Sequence, residues 1–265
     1  MKNKLHILFL LGLFSFGFSL QAQKEAFKKE ILVKDGDTLQ YRILYPENFS
    51  EEKQYPLMLF LHGAGERGSD NEKQLVHGSN LFLDSTNQKK FPAVVVFPQC
   101  PRNSYWANAD VDRSGPGVKL KFKENAPPTW PMELVIGLVD SLKQDDYIKK
   151  DQIYVGGLSM GGMGTFEILS RRPDTFAAAF AICGGGSTSS ASMYAKNTPM
   201  WVFHGAKDDV VNPKHSLEMV EALLDAGAYP QFTLYNDANH NSWDSAFAEP
   251  NLLPWLFSHQ LMEDK

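Results

Sequence analysis

Between residues 30 and 260, short and almost wholly apolar runs alternate with stretches whose apolar residues recur every three or four positions. The runs at about 56–61, 93–98, 153–157, 177–183, 199–204 and 231–235 predict strands buried on both faces. The patterns between them predict helices at 132–144, at 160–171 with Pro173 beyond its end, and at 213–226. In the last of these Leu217, Val220 and Leu224 share a face that reads as core, and Gly227 marks the stop. Residues 30–45 alternate around Asp35-Gly36-Asp37, with Ile31-Leu32-Val33 on one side and Thr38 to Tyr45 on the other, which predicts an antiparallel hairpin at the first edge of the sheet. The chain thus reads as α/β, with a mainly parallel central sheet of about eight strands, that N-terminal hairpin, and helices on both faces.

One segment escapes both periodicities. Residues 101–131 hold Trp106, Gly115-Pro116-Gly117, Pro127-Pro128 and Trp130 without a helical or strand pattern. A segment this long reads as an insertion over a functional site, with a plain surface insertion as the competing reading. Trp106, Trp130 and Trp243 are candidates for an aromatic pocket wall, Trp106 and Trp243 being named as pocket residues; for Trp243 the alternative is packing as core beneath its loop.

Candidate chemistry begins at Gly157-Leu158-Ser159-Met160-Gly161, which directly follows the apolar run Ile153-Tyr154-Val155-Gly156 and directly precedes a helical pattern. This strand-turn-helix context is what a nucleophile elbow requires: the sharp turn strains the serine backbone, and side chains at 157 and 161 would collide with the neighbouring strand and helix. A serine hydroxyl needs a histidine base, and that base needs a carboxylate to fix its tautomer. The predicted strand 199–204 runs into His204-Gly205-Ala206-Lys207-Asp208-Asp209, so Asp208 is the candidate acid and Asp209 its competitor, since spacing alone does not separate neighbours. Asn212-Pro213 already supplies the cap and first turn of the next helix, which leaves both acids free. The strand 231–235 runs into Asn236-Asp237-Ala238-Asn239-His240, which makes His240 the candidate base in the order Ser, acid, His.

The other histidines have weaker claims: His62 and His204 belong to His-Gly pairs at strand ends, His77 and His215 fall in polar or helical stretches, His259 is near the tail and His6 lies in an N-terminal apolar segment. Attack on a carbonyl also needs preorganised donors for the oxyanion, each worth roughly 3–4 kcal/mol. The amides of Met160, after the nucleophile, and of Ala64, in the glycine-rich turn after the strand 56–61, are the candidates.

Four separated motifs, Leu-His-Gly-Ala-Gly-Glu-Arg-Gly-Ser-Asp-Asn (61–71), Pro-Gln-Cys-Pro (98–101), Gly-Leu-Ser-Met-Gly-Gly (157–162) and His-Asn-Ser-Trp-Asp (240–244), resemble those of bacterial esterases in the phospholipase/carboxylesterase group of α/β-hydrolases, also labelled predicted peptidases. The resemblance spans about residues 30–260. It implies an α/β-hydrolase fold, ester hydrolysis without metal or cofactor, Ser159, Asp208 and His240 as triad, and Ala64 and Met160 as oxyanion donors. The stretch between Trp106 and Pro131 is longer than the resemblance implies. If the strand order is the usual hydrolase one, Cys100 and Cys183 follow strands several spacings of about 4.8 Å apart, so free thiols are expected.

Composition narrows the setting. Lys2 and Lys4, a Leu/Phe-rich run from Leu5 to Leu20 and then Gln21-Ala22 read as a secretory signal over residues 1–22, with an uncleaved anchor as the competing reading, and place the enzyme outside the cytoplasm, secreted or periplasmic. Residues 23–265 then form one catalytic domain carrying the 101–131 insertion. Without Lys2 and Lys4 the 26 basic residues become 24 against 31 acidic ones, a net charge of −7 that argues against a nucleic-acid partner. The expected activity is a secreted serine carboxylesterase working through an acyl-enzyme, on a small-molecule or polysaccharide-linked ester such as acetyl or feruloyl groups of plant polysaccharide. A lysophospholipase or thioesterase, a prolyl-oligopeptidase-like peptidase, and a catalytically silent carbohydrate-binding protein are the competing readings.

Overall fold

The protein, as a computed structural model, is described over residues 25–115 and 117–261. The expected signal segment lies outside the described residues. Ten strands are found there: β1 (Lys28–Lys34), β2 (Asp37–Leu44), β3 (Tyr55–Leu61), β4 (Val94–Pro98), β5 (Ala109–Asp112), β6 (Lys119–Phe122), β7 (Ile148–Leu158), β8 (Ala178–Ile182), β9 (Met200–Gly205) and β10 (Gln231–Tyr235). The helices are α1 (Ser79–Leu83), α2 (Ser85–Lys90), α3 (Trp130–Leu142), α4 (Met160–Arg171), α5 (Lys214–Asp225), α6 (Trp243–Phe247) and α7 (Leu252–Phe257).

Eight strands form one sheet in the order β1-β2-β4-β3-β7-β8-β9-β10, which is the α/β-hydrolase fold. β1 and β2 run antiparallel, and every pairing from β4 to β10 is parallel. The β1–β2 turn is Asp35-Gly36, both at positive φ, the two-residue turn whose twist matches that of the strands it joins. The central strands β3, β4, β8 and β9 are buried along their whole length, which explains their unbroken apolar runs. Alternation sorts them between two cores. Leu57, Leu59 and Leu61 of β3 face one core, with α3, α4 and α5; Met58 and Phe60 face the other, with α6 and α7.

Four details depart from the sequence pattern. β7 starts at Ile148, five residues ahead of the apolar run, because its first turn outward carries Lys149-Lys150-Asp151 and only Ile148 pairs there, with Tyr55. Helix α3 starts at Trp130, capped by the Thr129 hydroxyl and carrying Pro131 in its first turn. In α5 the core stripe is turned by one position from the predicted face: Leu217 and Leu224 are 42% and 52% exposed, whereas Met219 and Leu223 are fully buried. Buried Ser216 shares that stripe because its hydroxyl has polar partners inside, an arrangement that apolar periodicity does not register. Lastly, the segment 101–131 is not irregular throughout. It carries the β5–β6 hairpin, whose strands are only four residues long, and Val118 bridges to Val211 with its amide donating to the Val210 carbonyl at 2.8 Å. Cys100 and Cys183 are both buried free thiols, and β3 and β7 stand between the strands they follow. Among the described residues no helix is long and apolar enough to cross a membrane.

Candidate active site

Ser159 stands between the end of β7 and the start of α4 with φ 53° and ψ −116°, a strained conformation for any residue but glycine. The flanking glycines permit it. A Cβ on Gly157 would collide with the Gly161 carbonyl, and one on Gly161 with the Leu61 carbonyl of β3. The Ser159 amide is tied to the Ile182 carbonyl of β8 at 2.8 Å, so the turn is pinned by the neighbouring strand.

Three loops at the same end of the parallel strands bring Ser159, His240 and Asp208 together. Ser159 Oγ lies 3.0 Å from His240 Nε2, and His240 Nδ1 lies 2.8 Å from Asp208 Oδ2. With Nδ1–H given to the carboxylate, Nε2 holds the lone pair that receives the serine proton. Asp209 is excluded from this role by its placement: its side chain is exposed, and the structure brings Asp208 and not Asp209 to His240. Asn239 Oδ1 accepts from both the Asp209 and the His240 amides, at 3.1 and 2.6 Å, which ties the acid loop to the base loop.

Asp208 is held on every side. Its Oδ1 accepts the Val210 and Val211 amides at 2.9 and 2.8 Å, and its Oδ2 accepts His240 and also His204 Nε2, the latter at 3.1 Å. Burial alone would push this carboxyl up, but the hydrogen bonds from His204, His240 and the Val211 amide outweigh it and hold the group well below the usual carboxylate range. His204 is the residue that spacing did not single out. It is fully buried at the end of β9, with Nε2 also 3.0 Å from the Val211 carbonyl and Nδ1 2.7 Å from Ser216 Oγ. A His-Gly pair at the end of a predicted strand was the available signal.

The second His-Gly pair braces the other loop. His62 Nε2 accepts the Cys100 amide at 2.9 Å, so its Nδ1 carries the proton and donates to the Gly63 carbonyl at 2.6 Å. Burial pulls its pKa down to about 4, keeping the ring neutral. Gly63 abuts the nucleophile: a Cβ there would stand 3.7 Å from Ser159 Cβ. Ala64 opens the 3-10 turn after Gly63 and Met160 opens α4, and first-turn amides have no carbonyl within their own helix. Both candidate oxyanion donors are therefore first-turn amides, Met160 next in the chain to Ser159 and Ala64 next to Gly63, which abuts it.

The tryptophans divide. Trp243 is partly buried and stands edge-on to the His240 ring at 5.3 Å, with His77 on it at 5.1 Å. Trp106 has no exposed surface; its Nε1 donates to the His62 carbonyl at 3.1 Å and it packs under α4, so it is core and lines no pocket. Trp130 begins α3 and packs against the same core. Among the described residues, Cys183, Asp208 and His240 group closely enough to be considered as metal ligands. Each Asp208 oxygen already accepts two N–H groups, and burial pushes the Cys183 thiol up, which works against the deprotonated ligands a metal needs.

The sequence matches the phospholipase/carboxylesterase family over residues 48–249. A bifunctional acetylxylan esterase/xylanase of Neocallimastix patriciarum is 29% identical over 169 residues, 64% of this chain, and the chain spans 21% of that protein's length. The crystal structure of a thermostable esterase superposes with a TM-score of 0.81 at 32% identity, covering 90% of this chain and 64% of that one. A ferulic acid esterase of Anaeromyces mucronatus superposes with a TM-score of 0.63 over 86% of this chain and 89% of that one; at 16% identity the likeness bears on the fold alone.

Proposed function

The chain belongs to the phospholipase/carboxylesterase family; we propose that it is a hydrolase acting on esters, a serine esterase working through an acyl-enzyme on acetyl or feruloyl esters carried by plant polysaccharide. The observation that carries the mechanism is the continuous chain Ser159 Oγ–His240–Asp208, at 3.0 and 2.8 Å, on a strained serine. His240 Nε2 takes the hydroxyl proton as Ser159 attacks the ester carbon, and Asp208 stabilises the imidazolium that results. The amides of Ala64 and Met160 hold the negative oxygen of the tetrahedral intermediate. His240 then protonates the departing alcohol, and a water deprotonated by the same nitrogen releases the acid and restores Ser159.

The substrate class is supported by an acetylxylan esterase relative, and the fold is shared with ferulic acid esterases. The run from Lys2 to Ala22 supports export to where such polymers lie. The test is turnover of acetylated xylan, methyl ferulate and p-nitrophenyl esters of graded acyl length, each with a Ser159→Ala control. Preference for short acyl or feruloyl groups, abolished in Ser159→Ala, is expected. Preference for long acyl chains would replace this substrate class with a lipid one, and full activity of Ser159→Ala would reject the mechanism.

A further inference from the structure

Glu66 ends the 3-10 turn that begins at Ala64, and its carboxylate takes no part in the triad. Its side chain is only 13% exposed, yet it accepts no hydrogen bond from any described residue; its charge partner, His77 Nε2, is 3.9 Å away, beyond hydrogen-bond reach. Buried Asp208 gathers four protein donors, whereas Glu66 has none from the described residues and its oxygens keep their contact with solvent. Acceptor positions on Glu66 are therefore open to a ligand.

They open beside the nucleophile. A Cβ on Gly63 would stand 2.9 Å from Glu66 Oε2 and 3.7 Å from Ser159 Cβ, so carboxylate and serine border the same edge of Gly63, one residue from the Ala64 amide. From Glu66 the arc continues through His77 to Trp243, whose ring meets His240 edge-on. His77 and Trp243 also line a surface depression of about 460 Å³ with Asn80 and Asp244. An ester bound at Ser159 would thus lie near a carboxylate that has acceptor positions to offer.

We propose that Glu66, steadied by His77 against Trp243, accepts a hydrogen bond from a hydroxyl of the substrate next to the scissile ester, so that the enzyme selects esters bearing a free hydroxyl over their O-alkylated counterparts. The inference rests on the serine-esterase reading above. A hydroxyl fits better than a substrate carboxylate, which Glu66 would repel. The hydroxyl has two sources: a sugar hydroxyl neighbouring the acylated one, on the alcohol side, or the phenol of a hydroxycinnamoyl group, on the acyl side. Both present the same donor.

The test is a ratio of kcat/KM values within matched pairs, which cancels any general loss of activity or folded protein. The acyl-side pair is methyl ferulate against methyl 3,4-dimethoxycinnamate. The alcohol-side pair is methyl 3-O-acetyl-xylopyranoside against its 2,4-di-O-methyl ether. The full chain should favour the hydroxylated member of one pair by about tenfold or more, because the hydrogen bond to a charged acceptor is made only when the hydroxyl is present. The pair that shows the preference identifies the source. Glu66→Ala should bring that ratio close to one, and Glu66→Gln, which keeps a weaker acceptor, should fall between. A wild-type ratio near one in both pairs, or a preference that survives Glu66→Ala, would overturn the proposal. If the alanine variant does not fold, the wild-type ratios and the Glu66→Gln ratio decide it on the same terms. Ser159→Ala on p-nitrophenyl acetate, which carries no hydroxyl, is the separate control: loss of turnover there with flat ratios would leave the esterase standing and remove the Glu66 role alone.

Discussion

His204 Nε2 lies 3.1 Å from Asp208 Oδ2, the same oxygen that receives His240 at 2.8 Å, so one buried carboxylate oxygen is shared by two imidazoles. Asp208, the acid of the proposed triad, is fixed from behind by His204 as well as from the side by the Val210 and Val211 amides. His204 is held in turn by Ser216, whose hydroxyl lies 2.7 Å from its Nδ1 and 3.0 Å from the Gly184 carbonyl.

Removing that brace should misplace Asp208 without touching the substrate. His204→Phe is expected to lower kcat by about 10- to 100-fold with KM little changed, the pattern of a lost orientation in the transition state. His204→Gln, whose Nε–H can reach the same oxygen, should recover most of the loss. Steady-state kinetics on one soluble ester, with a thermal melt to establish folding, checks both.

Asp208 and Asp209 are adjacent in the chain and opposite in placement, one buried on His240 and one exposed. Asp208→Asn leaves the imidazole with the wrong tautomer and should cost on the order of 10⁴-fold in kcat. Asp209→Asn should stay within about threefold of wild type, since the contact it makes is through its backbone amide.

The neutral His62 ring predicts acid lability. Its pKa, about 4 in the fold, is below its ordinary value of 6.5, so the unfolded chain binds the proton first. The contribution is complete above pH ~6.5 and is lost as pH falls through ~4, amounting to about 3 kcal/mol in all. Asp208, also depressed, adds a further loss below the ordinary carboxylate range near pH ~4. Urea unfolding across this pH window should show stability falling from pH ~6.5 downward, with a shallower fall in His62→Gln.

Much of this was legible in the residues, and the reasons are local. The strand-turn-helix around Ser159 shows in sequence because strand, glycines and helix are contiguous there. Asp208 and His240 could be placed because each follows a run of strand-forming residues, yet choosing Asp208 over Asp209 required knowing which way the loop turns. The same gap hid His204, whose value lies in a side-chain contact with a residue four positions on. Trp106 misled for a related reason: a tryptophan in an unpatterned loop reads as a pocket wall, and only the small Gly164 beneath it shows that it packs as core. The face of α5 was misjudged because Ser216 occupies a core position through its hydrogen bonds. Glu66 stood within a recognised motif, and nothing in its spacing shows that its carboxylate is left without donors.

If Ser159 carries the acyl group, rapid acid quench of the enzyme with p-nitrophenyl acetate, followed by peptide mass spectrometry, will find it there. An acetyl group on Ser159 is expected to accumulate in Asp208→Asn or wild type and never to form in Ser159→Ala. Ester turnover with the acetyl group on another residue, or with Ser159→Ala as active as wild type, would contradict it.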